Sequence, residues 1–136
     1  MLEKRKNRKA ALTLVKAFNA HQADLVGAAI CDDCLFIDSG GDAIDGAAAC
    51  TAATAKFMEI EPDFAISVTD LTVVADEVLM VGTTTARNEL VAKDRMWRAK
   101  IRDGKVCEWQ SFCEGTPARL AVALGAIGTD QARQAV

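Results

Sequence analysis

Apolar residues recur with a helical period at the start of the chain and with a strand period through its second half. Ala11, Leu12, Leu14, Val15 and Phe18 fall on one stripe of a helix expected over about residues 4–20. Asn19, Ala20, His21 and Gln22 break that stripe, and a short second helix is expected over about residues 23–30. Asp32 and Asp33 lead into a strand, residues 34–38, which the turn-rich Ser39-Gly40-Gly41-Asp42 ends. A third helix fits residues 46–60, with Asp45 as its N-cap, Cys50, Ala53, Phe57 and Ile60 on one face, and Pro62 as its stop.

The period then changes to two. Phe64, Ile66 and Val68 alternate with Ala65, Ser67 and Thr69, and the run continues through Leu71, Val73 and Val74. Asp76-Glu77 marks a turn, residues 78–87 read as a strand, and residues 88–94 read as a polar loop. Residues 95–102 and 105–114 make a hairpin about Asp103-Gly104, a strong two-residue turn signal. Thr116 and Pro117 are suited to be N-cap and N1 of a last helix over 117–124, closed by Gly125, with a frayed tail after it. Helices first and four long strands afterwards predict an α+β fold, with an antiparallel sheet carrying its helices on one face. One domain is expected over 1–136, its core at about 10–115 and the last helix and tail at 116–136.

Composition agrees with one core, since 51% of the 136 residues are hydrophobic. A net charge of -3 offers no sustained positive face, so neither nucleic acid nor a membrane surface is an expected partner. The cluster Lys4, Arg5, Lys6, Arg8 and Lys9 reads as the solvated first turns of the first helix. Five cysteines make an odd count, and no secretion signal accompanies them, so reduced thiols and a cytoplasmic location are expected. Cys31-Asp32-Asp33-Cys34 has the spacing of a metal or redox motif, but it lacks a second pair and His21 is the single histidine. No metal and no cofactor is therefore expected.

The stretch Val15-Lys16-Ala17-Phe18-Asn19-Ala20-His21, then Asp32-Asp33, a strand ending in Asp38, and Gly46 opening the third helix carry a resemblance. Together they resemble the opening of nuclear-transport-factor-2-like proteins, which include the ketosteroid isomerases and the SnoaL-like polyketide cyclases. The resemblance runs over about residues 12–114. It implies a cone-like, curved antiparallel sheet with helices packed on its concave face, enclosing a pocket for a small apolar molecule. Against the ketosteroid isomerases, Asp38 falls at the proton-shuttling carboxylate, which implies general acid/base chemistry on an apolar carbonyl substrate. Their two oxyanion donors do not carry over, because the corresponding positions hold Leu14 and, approximately, Trp97. Loss of one such donor costs about 10² to 10³ in rate. Trp109 and Ser111 are spaced like a Trp and an Asp of the epoxide-hydrolase branch, but a serine does not activate water as a carboxylate does. The late acid/base aspartate of the polyketide cyclases is also missing, unless Glu108 or Glu114 turns inward against the alternation.

Taking Asp38 as inward places Phe36 and Cys34 on its face, and alternation groups Arg95, Trp97, Ala99 and Ile101 with Cys107, Trp109, Ser111 and Cys113. The candidate catalytic residue is Asp38. The candidate ligand contacts are Leu14, Phe18, Phe36, Phe57, Thr84, Trp97, Trp109, Ser111 and Cys113. Three functions remain open: an isomerase, cyclase or dehydratase working through Asp38, a protein that only binds a hydrophobic metabolite such as a steroid or aromatic polyketide, or a dimerising association module in which the sheet's outer face joins partners. In the second, Asp38 merely forms the Ser39-Gly40-Gly41 turn. The outward row Leu79, Val81, Thr83 and Thr85 is unusually apolar, so a homodimer or other association through the open sheet face is expected, unless the last helix shields that face.

Overall fold

The computed structural model describes residues 2–113, and the helix expected at 117–124 lies outside them. Along the chain run α1 (Leu2–Asn19), α2 (Ala23–Ala28), β1 (Ile30–Ile37), β2 (Ala43–Asp45) and α3 (Ala47–Ile60). The strands β3 (Ala65–Val74), β4 (Glu77–Thr85), β5 (Asp94–Arg102) and β6 (Lys105–Phe112) follow. They form one six-stranded sheet in the order β2-β1-β6-β5-β4-β3. Among the described residues, no helix is long and apolar enough to cross a membrane.

The sheet is mixed rather than wholly antiparallel. From β3 to β6 the strands form an antiparallel meander, which brings β6 back beside β1 in parallel, with Phe36 opposite Trp109 and Ile37 opposite Gln110. Strand β1 starts at Ile30, four residues earlier than its polar opening suggests, because Ile30 pairs with Val106 and the register shifts past the exposed Asp32 and Asp33. Its other edge pairs with β2, a strand of three residues too short to show a period.

Asp45 belongs to β2 and is exposed, so it does not cap α3. The cap position falls to Gly46, whose φ of 97° suits glycine and whose N–H is drawn to Cys34 O at 2.8 Å. Ile60 is 55% exposed and not part of the buried face of α3. One helical turn beyond Phe57 the inward position falls on residue 61, and Glu61 is the buried side chain there. Strand β4 ends at Thr85, since the Glu61 carboxylate captures the N–H groups of Arg87 and Asn88 and draws the backbone out of the ladder. The loop that follows is not simply polar, because Val91 is buried within it.

Helix α1 buries Ala10, Ala11, Leu14, Val15 and Ala17 and packs on β3, β4, β5 and β6. Its alanines let the helix lie close across the sheet. Two side chains just past its apolar stripe then fasten it to β3. The amide of Asn19 pairs with both backbone groups of Ile66, at 2.9 and 2.8 Å, and His21 Nε2 lies 2.7 Å from Phe64 O. The hairpin from β5 to β6 turns through Asp103 and Gly104, both at positive φ as a type I′ turn requires. A register shift leaves Cys107 unpaired, and Val106 takes the core position opposite Ile101. The five cysteines are free, and Cys31, Cys34, Cys50 and Cys107 are buried. The hydrogen bond with Cys50, together with burial, pushes the Cys34 thiol well above its ordinary pKa, so it is inert at neutral pH.

The sheet curves where β3 bulges between Val68 and Asp70, opposite Gly82. A Cβ on Gly82 would stand 1.9 Å from Ser67 O, so only glycine lets β3 approach β4 there. Gly82→Ala should therefore destabilise the fold by at least about 2 kcal/mol, read as a lower urea midpoint at unchanged slope. An unchanged midpoint would show that β3 can shift without cost.

Candidate functional site

Aromatic rings from five elements, α1, β1, β5, β6 and α3, meet on the concave face. Phe18 of α1 sits 5.8 Å from Phe36 of β1 and 5.5 Å from Trp109 of β6, measured between centroids. Trp109 stacks on Trp97 of β5 at 6.3 Å and 27°, and Phe57 of α3 meets Phe64 edge-on at 4.8 Å. The Asn19 and His21 fastenings act here, because they hold Phe18, Phe64 and Ile66 around the same space. That space is a cavity of about 120 Å³.

Its polar lining gathers around Arg95, which is only 6% exposed. Guanidinium Nη1 donates to Ser39 Oγ at 2.9 Å and Ser111 Oγ at 3.0 Å. Nη2 donates to the carbonyls of Leu90 and Val91 at 3.1 and 3.0 Å, and Nε to Thr84 Oγ1 at 3.1 Å and Val91 O at 3.3 Å. Thr84 in turn donates to Val91 O and accepts from Lys93 N. Burial lowers the Arg95 pKa from its ordinary value, with the nearby Cys113 thiol acting in the opposite sense. A guanidinium starts so high that it stays charged.

Asp38 follows β1 directly and is 7% exposed. Its Oδ1 accepts the N–H groups of Gly40 at 2.9 Å and Asp42 at 3.0 Å. The backbone closes the same turn, through Asp38 N to Asp42 O at 2.9 Å and Gly41 N to Asp38 O at 3.0 Å. The side chain both shapes the turn and borders the cavity.

Of the residues singled out from sequence, Phe18, Phe36, Phe57 and Thr84 stand in the cavity wall. So do Trp97, Trp109, Ser111 and Asp38. Leu14 is not in the wall: it lies one turn before Phe18 and is wholly buried in the core. Cys113 lies past the end of β6, beside Arg95 and outside the lining. Sequence reasoning put Arg95 on the inward face but overlooked it as part of the site. The available signal was a charged residue at a position where Trp97, Ala99 and Ile101 are all apolar. A cavity of about 120 Å³ is close to the ~150 Å³ that admits one benzene ring and below the ~300 Å³ at which drug-sized sites begin.

A curved sheet closed by helices over an aromatic cavity with one polar end defines an α+β cone. The chain belongs to the SnoaL-like family: the model of the SnoaL-like domain matches residues 11–109. Solved structures share the fold. An LEH-like epoxide hydrolase of M. tuberculosis superposes with a TM-score of 0.72 at 17% identity, over 81% of this chain and 84% of its own. An uncharacterized cystatin-fold protein from Novosphingobium aromaticivorans gives 0.70 at 19%, over 79% of this chain and 97% of its own. A protein provisionally assigned as a SnoaL-like polyketide cyclase, from Shewanella denitrificans, gives 0.70 at 16%, over 78% and 88%. At such identities the likeness is one of fold alone. No curated protein matches the sequence.

Because Trp97 and Trp109 border the cavity, toluene-sized compounds should change tryptophan emission saturably, while four-ring compounds should not. A titration with the reverse preference would show that the cavity opens well beyond its present size.

Proposed function

We propose that this SnoaL-like domain is an acid/base enzyme acting on a compact, mostly apolar carbonyl compound, with Asp38 as the group that takes and returns a proton. The observation that carries the reading is that Asp38 is the one carboxylate among the described residues lining the cavity, buried and set at a fixed angle by two N–H groups on one oxygen. A general base needs that fixity and that proximity. Removal of a proton alpha to the carbonyl moves the electron pair onto the carbonyl oxygen and leaves Asp38 protonated. Return of the proton to another carbon is isomerisation, expulsion of a beta hydroxyl as water is dehydration, and attack of the new nucleophile on a second carbonyl is cyclisation.

A second reading has its own support. Oδ1 of Asp38 accepts two N–H groups of the turn that its own backbone N–H and C=O help close, as in a protein that only binds its ligand. Asp38→Asn separates the two readings, since the amide oxygen can still accept from Gly40 and Asp42 while the proton acceptor is gone. Turnover should fall at least about 10²-fold with ligand affinity held. Unchanged turnover would leave the binding reading.

The partner on the convex face, in this reading, is a second copy. Val81, Met96 and Phe112 are exposed and stand side by side in register on β4, β5 and β6, which extends the apolar row seen in β4. Arg98 flanks the row on the same face, ion-paired with Glu77 and Glu108, so both charge signs are present for a self-complementary two-fold contact. Light scattering should give twice the 14.5 kDa chain mass, and Met96→Glu should return it to 14.5 kDa. A wild-type chain at 14.5 kDa throughout the micromolar range would refute the dimer.

A further inference from the structure

Arg95 brings a full positive charge to the cavity wall, and among the described residues no carboxylate stands within 4.0 Å of it. Its N–H groups go to neutral oxygens, with the Cys113 thiol beside them, so the charge is solvated but not paired with a carboxylate. What the arrangement offers a ligand follows from counting the hydroxyls around it. Thr84 is fully used, since it accepts from Arg95 and Lys93 and donates to Val91 O. Ser39 and Ser111 each accept from Arg95 Nη1, and their Oγ atoms lie 3.3 Å apart, so one hydroxyl proton bridges the pair and the other is left over. Of the two, Ser111 is the one that lines the cavity. With the bridging proton on Ser39, the chain of donors ends in the Ser111 hydroxyl, which offers its proton to an acceptor atom of the ligand.

We propose that Ser111, backed by Arg95 and Ser39, is an oxyanion-binding group, and that the cavity takes a single-ring phenol or enolisable ketone whose oxygen rests on the Ser111 hydroxyl. The proposal rests on the small-molecule reading of the cavity given above, and it names the substrate class. Hydrogen bonds onto Ser111 from a guanidinium and a second hydroxyl polarise its O–H, and a donor so assisted favours a charged oxygen over a neutral one. The surrounding rings exclude water, which strengthens the effect. Charge balance fits the same picture. When Asp38 takes a proton it loses its negative charge, and that charge appears on the substrate oxygen held at the Arg95 end.

The test uses 4-nitrophenol, a single-ring probe whose phenolate absorbs visible light, with 4-nitrotoluene as its neutral counterpart. The wild-type protein should bind the phenolate at least about tenfold more tightly than the phenol, so that the bound probe ionises at lower pH than the free one. Ser111→Ala should reduce that preference several-fold, well beyond any change in 4-nitrotoluene affinity. Arg95→Met should abolish the preference; because it also removes the bonds that hold residues 86–93, its fold is checked by circular dichroism, and Ser111→Ala carries the test if it does not fold. Equal binding of phenol and phenolate, or a preference untouched by Ser111→Ala, overturns the oxyanion assignment while 4-nitrotoluene binding keeps the cavity reading. Binding of neither probe overturns both. The Asp38→Asn variant should keep or strengthen the phenolate preference, since it removes a like charge from the same cavity, so loss or survival of turnover there tests the acid/base role separately.

Discussion

The guanidinium of Arg95 holds together four stretches of chain that meet nowhere else in the same way: the turn after β1, strand β4, the loop that follows it, and strand β6. Taking such a group out of water costs several kcal/mol, and each hydrogen bond to a charged group returns about 1.5–3 kcal/mol. The contacts offset the cost only if Ser39, Thr84, Leu90, Val91 and Ser111 all stand in place together. The position of the loop depends on a second buried charge, since Glu61 fixes the backbone at Arg87 and Asn88. The two ions are not partners. Each organises backbone and hydroxyl groups on its own side of the loop, and the polar end of the cavity is the joint result.

The apolar remainder of the cavity carries a different constraint. Leaving about 120 Å³ unfilled forgoes up to roughly 3 kcal/mol of packing, at about 24 cal/mol per Å³. The sheet could collapse onto that space only if α1 and β3 moved, and the Asn19 and His21 bonds prevent it. A ligand of one ring recovers most of that packing.

Much of the fold was legible because it rests on local periods. The stripe of α1, the alternation from Phe64 to Val74 and the Asp103-Gly104 turn each state their element within a dozen residues. The inward row Arg95, Trp97, Ala99 and Ile101 was legible for the same reason. What was not legible depends on pairing across the chain. The parallel match of Phe36 with Trp109, the bulges at Thr69 and Cys107, and the capture of loop N–H groups by Glu61 leave no periodic trace. The site divides along the same line. Its aromatic wall follows from size and alternation, whereas the meaning of Arg95 lies in acceptors at positions 39, 84, 90, 91 and 111, which no spacing rule connects.

The parallel seam between β1 and β6 also sets when the molecule can become whole. Residues near 30 must wait for residues near 106, and Val106 N closes on Ala29 O at 3.0 Å only after the last hairpin has formed. Contacts that span so much chain form slowly, because loop closure precedes any gain from the pairing. Until β6 has emerged during synthesis, β1 and β5 each lack the strand that pairs one edge, and the aromatic wall lacks Trp109. Strand β6 pairs both edges, sets Trp109 against Phe18 and Trp97 and carries Ser111 to Arg95, so the binding chemistry of the cavity depends on the last of the described strands.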